Sequence, residues 1–379
     1  MKIVHVINSL NDGGAEAVLY RLCSHDRRNQ HIVVSLSDKG KYGEILSKIG
    51  IQVEVIRFPS FWSAPSALLN LVTSLRSFKP DVVQTWMYHS NLIGGFAAWI
   101  AGNKTIFWGV HNTTLKFGKS KTSTIVLVRV SAYLSYWLPS RIVACAQSAL
   151  VMHQRIGYSS VKLRFIPNGY DLTEFKCLLS EGFNLRASLR IPPDTPLIGC
   201  VARYDPQKDH ANLLCALAFL RSWGVSFFCI LVGRNMDHTN IELSAQVKDL
   251  GLRDQIMLLG PRDDIPALMS AFDVHILSSS YGEAFPNVIA EAMACETPCI
   301  ATDVGDAAAM IGDCGWIVPP ADAEALAVAI NNALLEVNTL SWQIRCSAAR
   351  RRILDSYSVE KMVLAYEQHW REAVEASSA

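Results

Sequence analysis

The chain has 379 residues, half of them apolar and 18% charged, with a formal net charge of +1. So much apolar residue excludes a disordered chain, and the absence of a Gly-X-Y or sustained heptad period excludes a fibre; at roughly 150 residues per domain the length predicts two domains. A membrane span needs ~18 continuous apolar residues, and the best run here, residues 92–101, is shorter and carries two glycines.

Taken in chain order, residues 3–7, 31–36, 53–56, 82–85, 105–110, 141–144 and 163–166 read as strands, with helical patterns over 16–22, 66–78 and 122–138. Strands alternating with helices imply right-handed crossovers and a parallel sheet. The pattern weakens at Pro167-Asn168-Gly169-Tyr170-Asp171 and breaks at Pro192-Pro193-Asp194-Thr195-Pro196, which places the junction between them and gives a first domain of 1–180. The alternation then resumes over 181–357, with strands at 197–202, 227–232, 255–259, 274–277 and 299–301. Helices are predicted near 208–222, 240–250, 287–294 and 322–336. A last segment, 358–379, shows the helical spacing Val359, Met362, Val363, Tyr366, Trp370, which periodicity alone does not place.

The ten cysteines stand singly, and the closest pair, Cys295 and Cys299, falls in a buried helix end followed by a strand; they read as reduced core thiols rather than metal ligands. The chain opens Met-Lys and enters a strand without a leader pattern, which reads as cytoplasmic; the Asn-x-Thr triplets at Asn103 and Asn112 then carry no glycosylation. Residues 1–180 hold 20 Lys and Arg against 9 Asp and Glu, a surplus of +11, and the remainder holds 15 against 25, a balance of −10. A basic half can meet nucleic acid, anionic lipid or a phosphorylated substrate, or simply be solvated. No nucleic-acid-binding module is visible in it.

In open parallel sheets ligands bind beyond the carboxyl ends of strands, so chemistry is sought there. After the first strand, Asn11-Asp12-Gly13-Gly14-Ala15-Glu16 opens a helix; paired glycines let backbone N–H groups approach a phosphate, although an ordinary turn fits equally. The turn matches neither the dinucleotide nor the P-loop glycine pattern. The strand ending at Val110 delivers His111 and Asn112. The strand ending at Ala202 delivers Arg203, with Lys208 at the next helix start; two cations there oppose the helix dipole unless an anion joins them, and they suit a diphosphate. The segment Ser278-Ser279-Ser280-Tyr281-Gly282-Glu283-Ala284-Phe285-Pro286-Asn287-Val288 follows a strand and enters a helix that carries Glu291 among apolar residues. Glu283 on the loop and Glu291 on the helix can both serve the same sheet end.

These motifs, in this order, resemble the retaining glycosyltransferases of the GT-B fold, family GT4, whose E-x7-E motif matches Glu283 and Glu291. The resemblance covers nearly the whole chain, including the Gly-Gly-Ala-Glu turn, His111, the Asn168-Gly169 segment, Arg203, Lys208 and Thr302-Asp303-Val304-Gly305. It implies an α/β fold of two Rossmann-like doubly wound domains facing a central cleft, the first binding the acceptor and the second the nucleotide sugar, with the last helix crossing back to the first. It further implies that Gly13 and Gly14 admit the donor diphosphate and that Arg203 and Lys208 neutralise the leaving group. Glu283 would hold donor-sugar hydroxyls and Glu291 the ribose, with the backbone of Ala284, Phe285, Pro286, Asn287 and Val288 near sugar and phosphates. His111 and Asn112 would lie on the acceptor side. Where the family often has a second glycine, Asp306 stands here, which puts that loop's shape in doubt.

The implied reaction needs no metal or other cofactor, since fixed cations and a helix N-terminus can stabilise the leaving diphosphate, and the chain has no Asp-x-Asp motif. Retention is expected by same-face attack. The expected donor is a UDP-linked hexose or N-acetylhexosamine; if the chain docks on the membrane, the expected acceptor is a lipid-linked saccharide at its cytoplasmic face, as in O-antigen or capsule assembly. A sugar-nucleotide epimerase, a phosphorylase and a non-catalytic nucleotide-sugar-binding protein are the competing readings of the same architecture. Lys116, Lys119 and Lys121 precede the aromatic-rich stretch 122–138, which reads either as a dock on anionic membrane or as a core helix.

Overall fold

The computed structural model describes residues 1–11, 13–58, 64–111 and 122–378. The chain divides into one unit of Met1–Gly169 with Val359–Ala379 and a second of Tyr170–Ser358. The first unit holds β1 (Lys2–Ile7), β2 (Gln30–Ser35), β3 (Gln52–Val55), β4 (Val82–Trp86), β5 (Ile106–Val110), β6 (Arg141–Ala144) and β7 (Leu163–Phe165). They form one sheet in the order β3-β2-β1-β4-β5-β6-β7, and every pairing is parallel, Ile7 standing beside Ser35 on one side and Trp86 on the other. The β-branched runs make these strands, and each crossover helix covers one sheet face. Helix Met87–Ala101 comes closest: a Cβ on Gly95 would lie 2.7 Å from Nε1 of Trp108, so only glycine permits that approach.

The second unit holds β8 (Leu197–Val201), β9 (Phe228–Val232), β10 (Ile256–Gly260), β11 (Val274–Leu277), β12 (Cys299–Thr302) and β13 (Trp316–Val318) in the order β10-β9-β8-β11-β12-β13, again all parallel. Both sheets are doubly wound, and the strand order reverses between β1 and β4 in one and between β8 and β11 in the other. Next to that second reversal, β8 and β11 pair only from Ile198–Val274 to Gly199–His275, after which Val201 N–H turns to Nε2 of His275 at 3.3 Å. The strands thus part at their carboxyl ends, where Arg203 and the Ser-rich loop emerge.

The unit boundary lies at Gly169–Tyr170 rather than at 180, because Tyr170 N–H donates to Tyr357 O at 2.9 Å and Tyr170 pairs with Ser358. Sequence reading also missed β13, a three-residue edge strand too short for a periodic signal, and helix Leu340–Ser356. Helix Val359–Ser378 packs on the first sheet, burying Val359, Met362, Tyr366 and Trp370 against Ile3, Ile7, Leu19 and Trp86. Under it runs a buried polar chain. Trp86 Nε1 can only donate, and it reaches His5 Nδ1 at 3.2 Å, so the His5 proton sits on Nε2, which faces His31 Nδ1 at 2.9 Å. His31 Nε2 lies 3.2 Å from Asp26 Oδ2. Burial pushes the Asp26 carboxyl up, but hydrogen bonds from His31, Asn29 and the Arg28 amide outweigh it and hold the group down at about 2. Among the described residues no helix is long and apolar enough to cross a membrane.

Candidate functional site

The carboxyl ends of β8 and β11 carry the densest polar constellation of the second unit. Asp205 caps the turn Pro206–Lys208 by accepting from Gln207 N–H at 2.9 Å, and Asp209, at φ +49°, starts helix His210–Ser222 by accepting from Asn212 N–H at 3.2 Å. Lys208 therefore ends a tight turn instead of opening the helix, and its ammonium swings to Glu283, with Nζ 2.5 Å from Oε1. The same oxygen accepts from Ser279 Oγ at 2.6 Å and Gln207 Nε2 at 3.3 Å. Ser278 Oγ donates to Lys208 O at 2.8 Å and Ser280 N–H to Gln207 O at 2.9 Å, so the two loops are laced together by backbone as well as charge. The Lys208 and Glu283 side chains are both largely buried, which makes the pair a fixed dipole rather than a surface ion pair.

Arg203 stays more exposed and turns to Asp205 Oδ2 at 3.2 Å and Gln207 Oε1 at 3.3 Å, one residue away from the Glu283 cluster. Ala284, Phe285 and Pro286 are buried and lead into helix Asn287–Ala294, with Pro286 at the cap. Asn287 accepts the Tyr170 hydroxyl on Oδ1 at 2.5 Å, while Tyr170 also lies parallel to Phe285 with ring centroids 6.5 Å apart. Val288 and Glu291 are half-buried on the helix's first two turns. The loop after β12 closes the other side: Gly305 has φ +65°, a Cβ there would stand 2.3 Å from Glu283 O, and Asp306 N–H donates to Ala284 O at 3.0 Å. The doubt about Asp306 is thereby answered. Its backbone holds the Glu283 loop while its buried position precedes the short helix Ala307–Ile311.

Chemically, a carboxylate fed by hydroxyl and amide donors beside an ammonium and a helix N-terminus suits a polyol that carries an anionic group. In the first unit, Gly13 caps helix Gly14–His25 in extended backbone, and a Cβ there would fall 2.3 Å from Glu16 Oε2, so this glycine lets a buried glutamate fold back over the turn. His111, just beyond β5, stacks on Trp86 with ring centroids 5.6 Å apart and planes at 16°. Burial, helped by the nearby His153, pulls its imidazole down to about 4, so the ring is neutral at physiological pH. Asn112 lies outside the described residues, as do Lys116, Lys119 and Lys121.

A family model described as "Glycosyltransferase Family 4" matches residues 12–174, and one described as "Glycosyl transferases group 1" matches residues 183–344, so the two follow the two units in turn. The chain belongs to the group 1 glycosyltransferases. This glycosyltransferase is 28% identical over 80% of its length to a Bacillus subtilis protein named as glycosyltransferase EpsF, covering 79% of that protein. It is 24% identical over 78% of its length to an Escherichia coli UDP-Gal:alpha-D-GlcNAc-diphosphoundecaprenol alpha-1,3-galactosyltransferase, covering 76% of it. Among solved structures, Anabaena HepE in complex with UDP matches with a TM-score of 0.87 and 25% identity, covering 98% of this chain and 100% of that one. HepE in complex with UDP-glucose matches with a TM-score of 0.85 and 25% identity, over 99% and 100%. The glycosyltransferase thus has the GT-B fold, two Rossmann-like parallel sheets in one α/β chain.

The glycosyltransferase brings Lys208 and Glu283 into direct contact and sets Arg203 beside them through Gln207. Sequence reasoning missed Gln207, Ser279, Tyr170 and Gly305 as parts of this arrangement. Ser279 and Tyr170 each stood inside a motif already singled out, but nothing in their spacing names a partner 4 or 117 positions away.

Proposed function

We propose that this glycosyltransferase moves a hexose or N-acetylhexosamine from a UDP-linked donor to a hydroxyl of a lipid-linked saccharide, in the assembly of a cell-surface polysaccharide, with retention and without a metal. The observation that carries the reading is the Lys208–Glu283 contact at the parted carboxyl ends of β8 and β11, next to the N-terminus of helix Asn287–Ala294. Support for the donor comes from HepE, which was crystallised with UDP and with UDP-glucose. The acceptor reading is supported by the Escherichia coli relative, whose name specifies a diphosphoundecaprenol-linked sugar.

On this reading the donor's diphosphate takes over the Lys208 ammonium, with Arg203 as a second cation, and Glu283 turns to sugar hydroxyls. The N–H groups at Asn287 and Val288 add the helix dipole to the phosphates, Glu291 holds the ribose, and Gly13 and Gly14 are assigned to donor binding. His111, with Asn112, is assigned to the acceptor step as a neutral hydrogen-bonding ring. In the transfer itself the bond from the anomeric carbon to the diphosphate oxygen breaks and a bond to the acceptor oxygen forms on the same face. The acceptor's proton leaves on the departing phosphate oxygen. Fixed cations matched to a charge that grows in the transition state are the largest single source of rate such a site can supply.

Thermal stabilisation by UDP, GDP, ADP and CMP in EDTA tests the donor: a selective upward shift with UDP is expected, and no shift with any of the four in folded protein overturns the cation clamp. Proton NMR of the product tests the stereochemistry, and an inverted anomeric configuration overturns same-face attack.

A further inference from the structure

The first unit turns two adjacent helices outward with the wrong kind of surface for water. Helix Met87–Ala101 buries one side in the sheet and exposes Phe96, Trp99 and Ile100 on the other, with Trp99 63% exposed. Its neighbour, Thr122–Leu134, buries Ile125, Val128 and Ala132 yet also exposes Val126, Val130 and Tyr133 at helical spacing. Tyr136 and Trp137 continue that outer stripe, and the Tyr133 and Trp137 rings meet edge to face at 4.7 Å, with Trp137 66% exposed. The helix is therefore apolar on both sides, and the choice between core helix and docking helix dissolves because it is built for both.

Cations rim this face. Arg76 donates to Ile100 O at 3.0 Å, Lys162 to Tyr136 O at 2.6 Å, and Lys104 is tied in where its carbonyl accepts Ser140 Oγ at 2.9 Å. Arg129 stands within the stripe itself, between Val126 and Val130. Burial, and after it the charge of Arg141, push the Lys162 ammonium below the usual lysine range; Glu372 is a carboxylate whose field reaches Arg141 and Arg164. The sequence makes the bias systematic: residues 82–170 contain nine Lys and Arg and not one Asp or Glu.

We propose that this face docks on an anionic lipid bilayer, the aromatic side chains entering the headgroup layer and Arg76, Lys104, Arg129 and Lys162 meeting lipid phosphates. Trp and Tyr favour the membrane–water interface, where one ring edge stays wet, and each basic residue near an anionic surface strengthens binding by about fivefold. No described helix can cross the bilayer, so the face lies on it. A second copy of this chain fits less well, because two such faces would bring their cations together. The inference is independent of the donor site, and vesicle binding is read without any transfer reaction.

The test is flotation of the full chain with phosphatidylcholine vesicles and with vesicles containing 30% phosphatidylglycerol, at low and high salt, alongside sedimentation velocity without lipid. Salt-sensitive binding to the anionic vesicles is expected, at least tenfold weaker in Trp99→Ser/Trp137→Ser and again in Lys104→Glu/Arg129→Glu, with melting temperatures of these surface variants unchanged. Binding indifferent to anionic lipid, no binding, or a dimer that the serine variants dissociate overturns the proposal.

Discussion

The hydroxyl of Tyr170 donates to Oδ1 of Asn287 across 2.5 Å, joining the first residue of the second unit to the first residue of the helix behind the Glu283 loop. The bond fixes which way the Asn287 amide faces at the start of that helix. Tyr170→Phe keeps the ring packed beside Phe285 but frees the amide to rotate, so KM for the donor should rise about fivefold, the worth of one hydrogen bond, with a smaller change in kcat. A double-mutant cycle checks the route: in an Asn287→Ala background, Tyr170→Phe should have no further effect.

Glu283 holds three donors on a single oxygen, one of them the Lys208 ammonium. Glu283→Gln leaves the ammonium buried beside an amide. The melting temperature should fall, and kcat/KM should drop about 100-fold or more. Adding Lys208→Met removes the stranded charge, so the double variant should regain stability while staying inactive.

Gly305 combines φ +65° with a carbonyl 2.3 Å from where a Cβ would stand. Gly305→Ala meets both penalties, and the Glu283 loop must move to relieve them. The expected result is a smaller thermal shift with UDP than wild type at equal nucleotide concentration, in a protein that still folds.

His153 is fully buried, its Nδ1–H donating to Ala149 O at 2.7 Å while Nε2 accepts from the Tyr88 hydroxyl at 2.8 Å. Burial lowers it to about 4, against the upward pull of the Ala149 bond. A native histidine that stays neutral while the unfolded one protonates near 6.5 makes unfolding take up a proton, so stability is lost as pH falls from about 6.5 to about 4, by about 3 kcal/mol in all. Urea titrations at pH 7, 6 and 5 should show this slope, and it should be shallower in His153→Gln.

The architecture was legible because the strands are compact β-branched runs and most crossover helices have one apolar side, so local pattern and tertiary role agree. Helix Met87–Ala101 was hidden: its run reads as uniformly apolar because Gly94 and Gly95 press on the sheet while Phe96 and Trp99 face outward. At the site, Arg203 and Lys208 stood out as two cations at a strand-to-helix junction, and Glu283 by its E-x7-E spacing to Glu291. Their connectors did not, since Ser279, Gln207 and Tyr170 are ordinary residues whose meaning comes from a neighbour supplied by another strand. The two-cation argument did not name the partner that Lys208 has within the chain, Glu283.

Trp370 is fully buried, and its Nε1 donates to Gln84 Oε1 at 3.3 Å within the sheet's polar layer. Trp370→Ala should cost about 3–5 kcal/mol, a core-cavity loss within the first unit, and urea unfolding of the variant should show it.

The same helix imposes a waiting time on biosynthesis. The first sheet leaves the ribosome with β1, β2 and β4 lacking their cover, and the intervening unit, Tyr170–Ser358, must be made before Val359–Ser378 arrives to supply it. At about 5–20 residues per second, that interval lasts about ten to forty seconds. Throughout it the nascent chain displays Ile3, Ile7 and Trp86 to the cell. The second unit, continuous in sequence, can finish folding first, and the N-terminal half of the protein is the last part to become native.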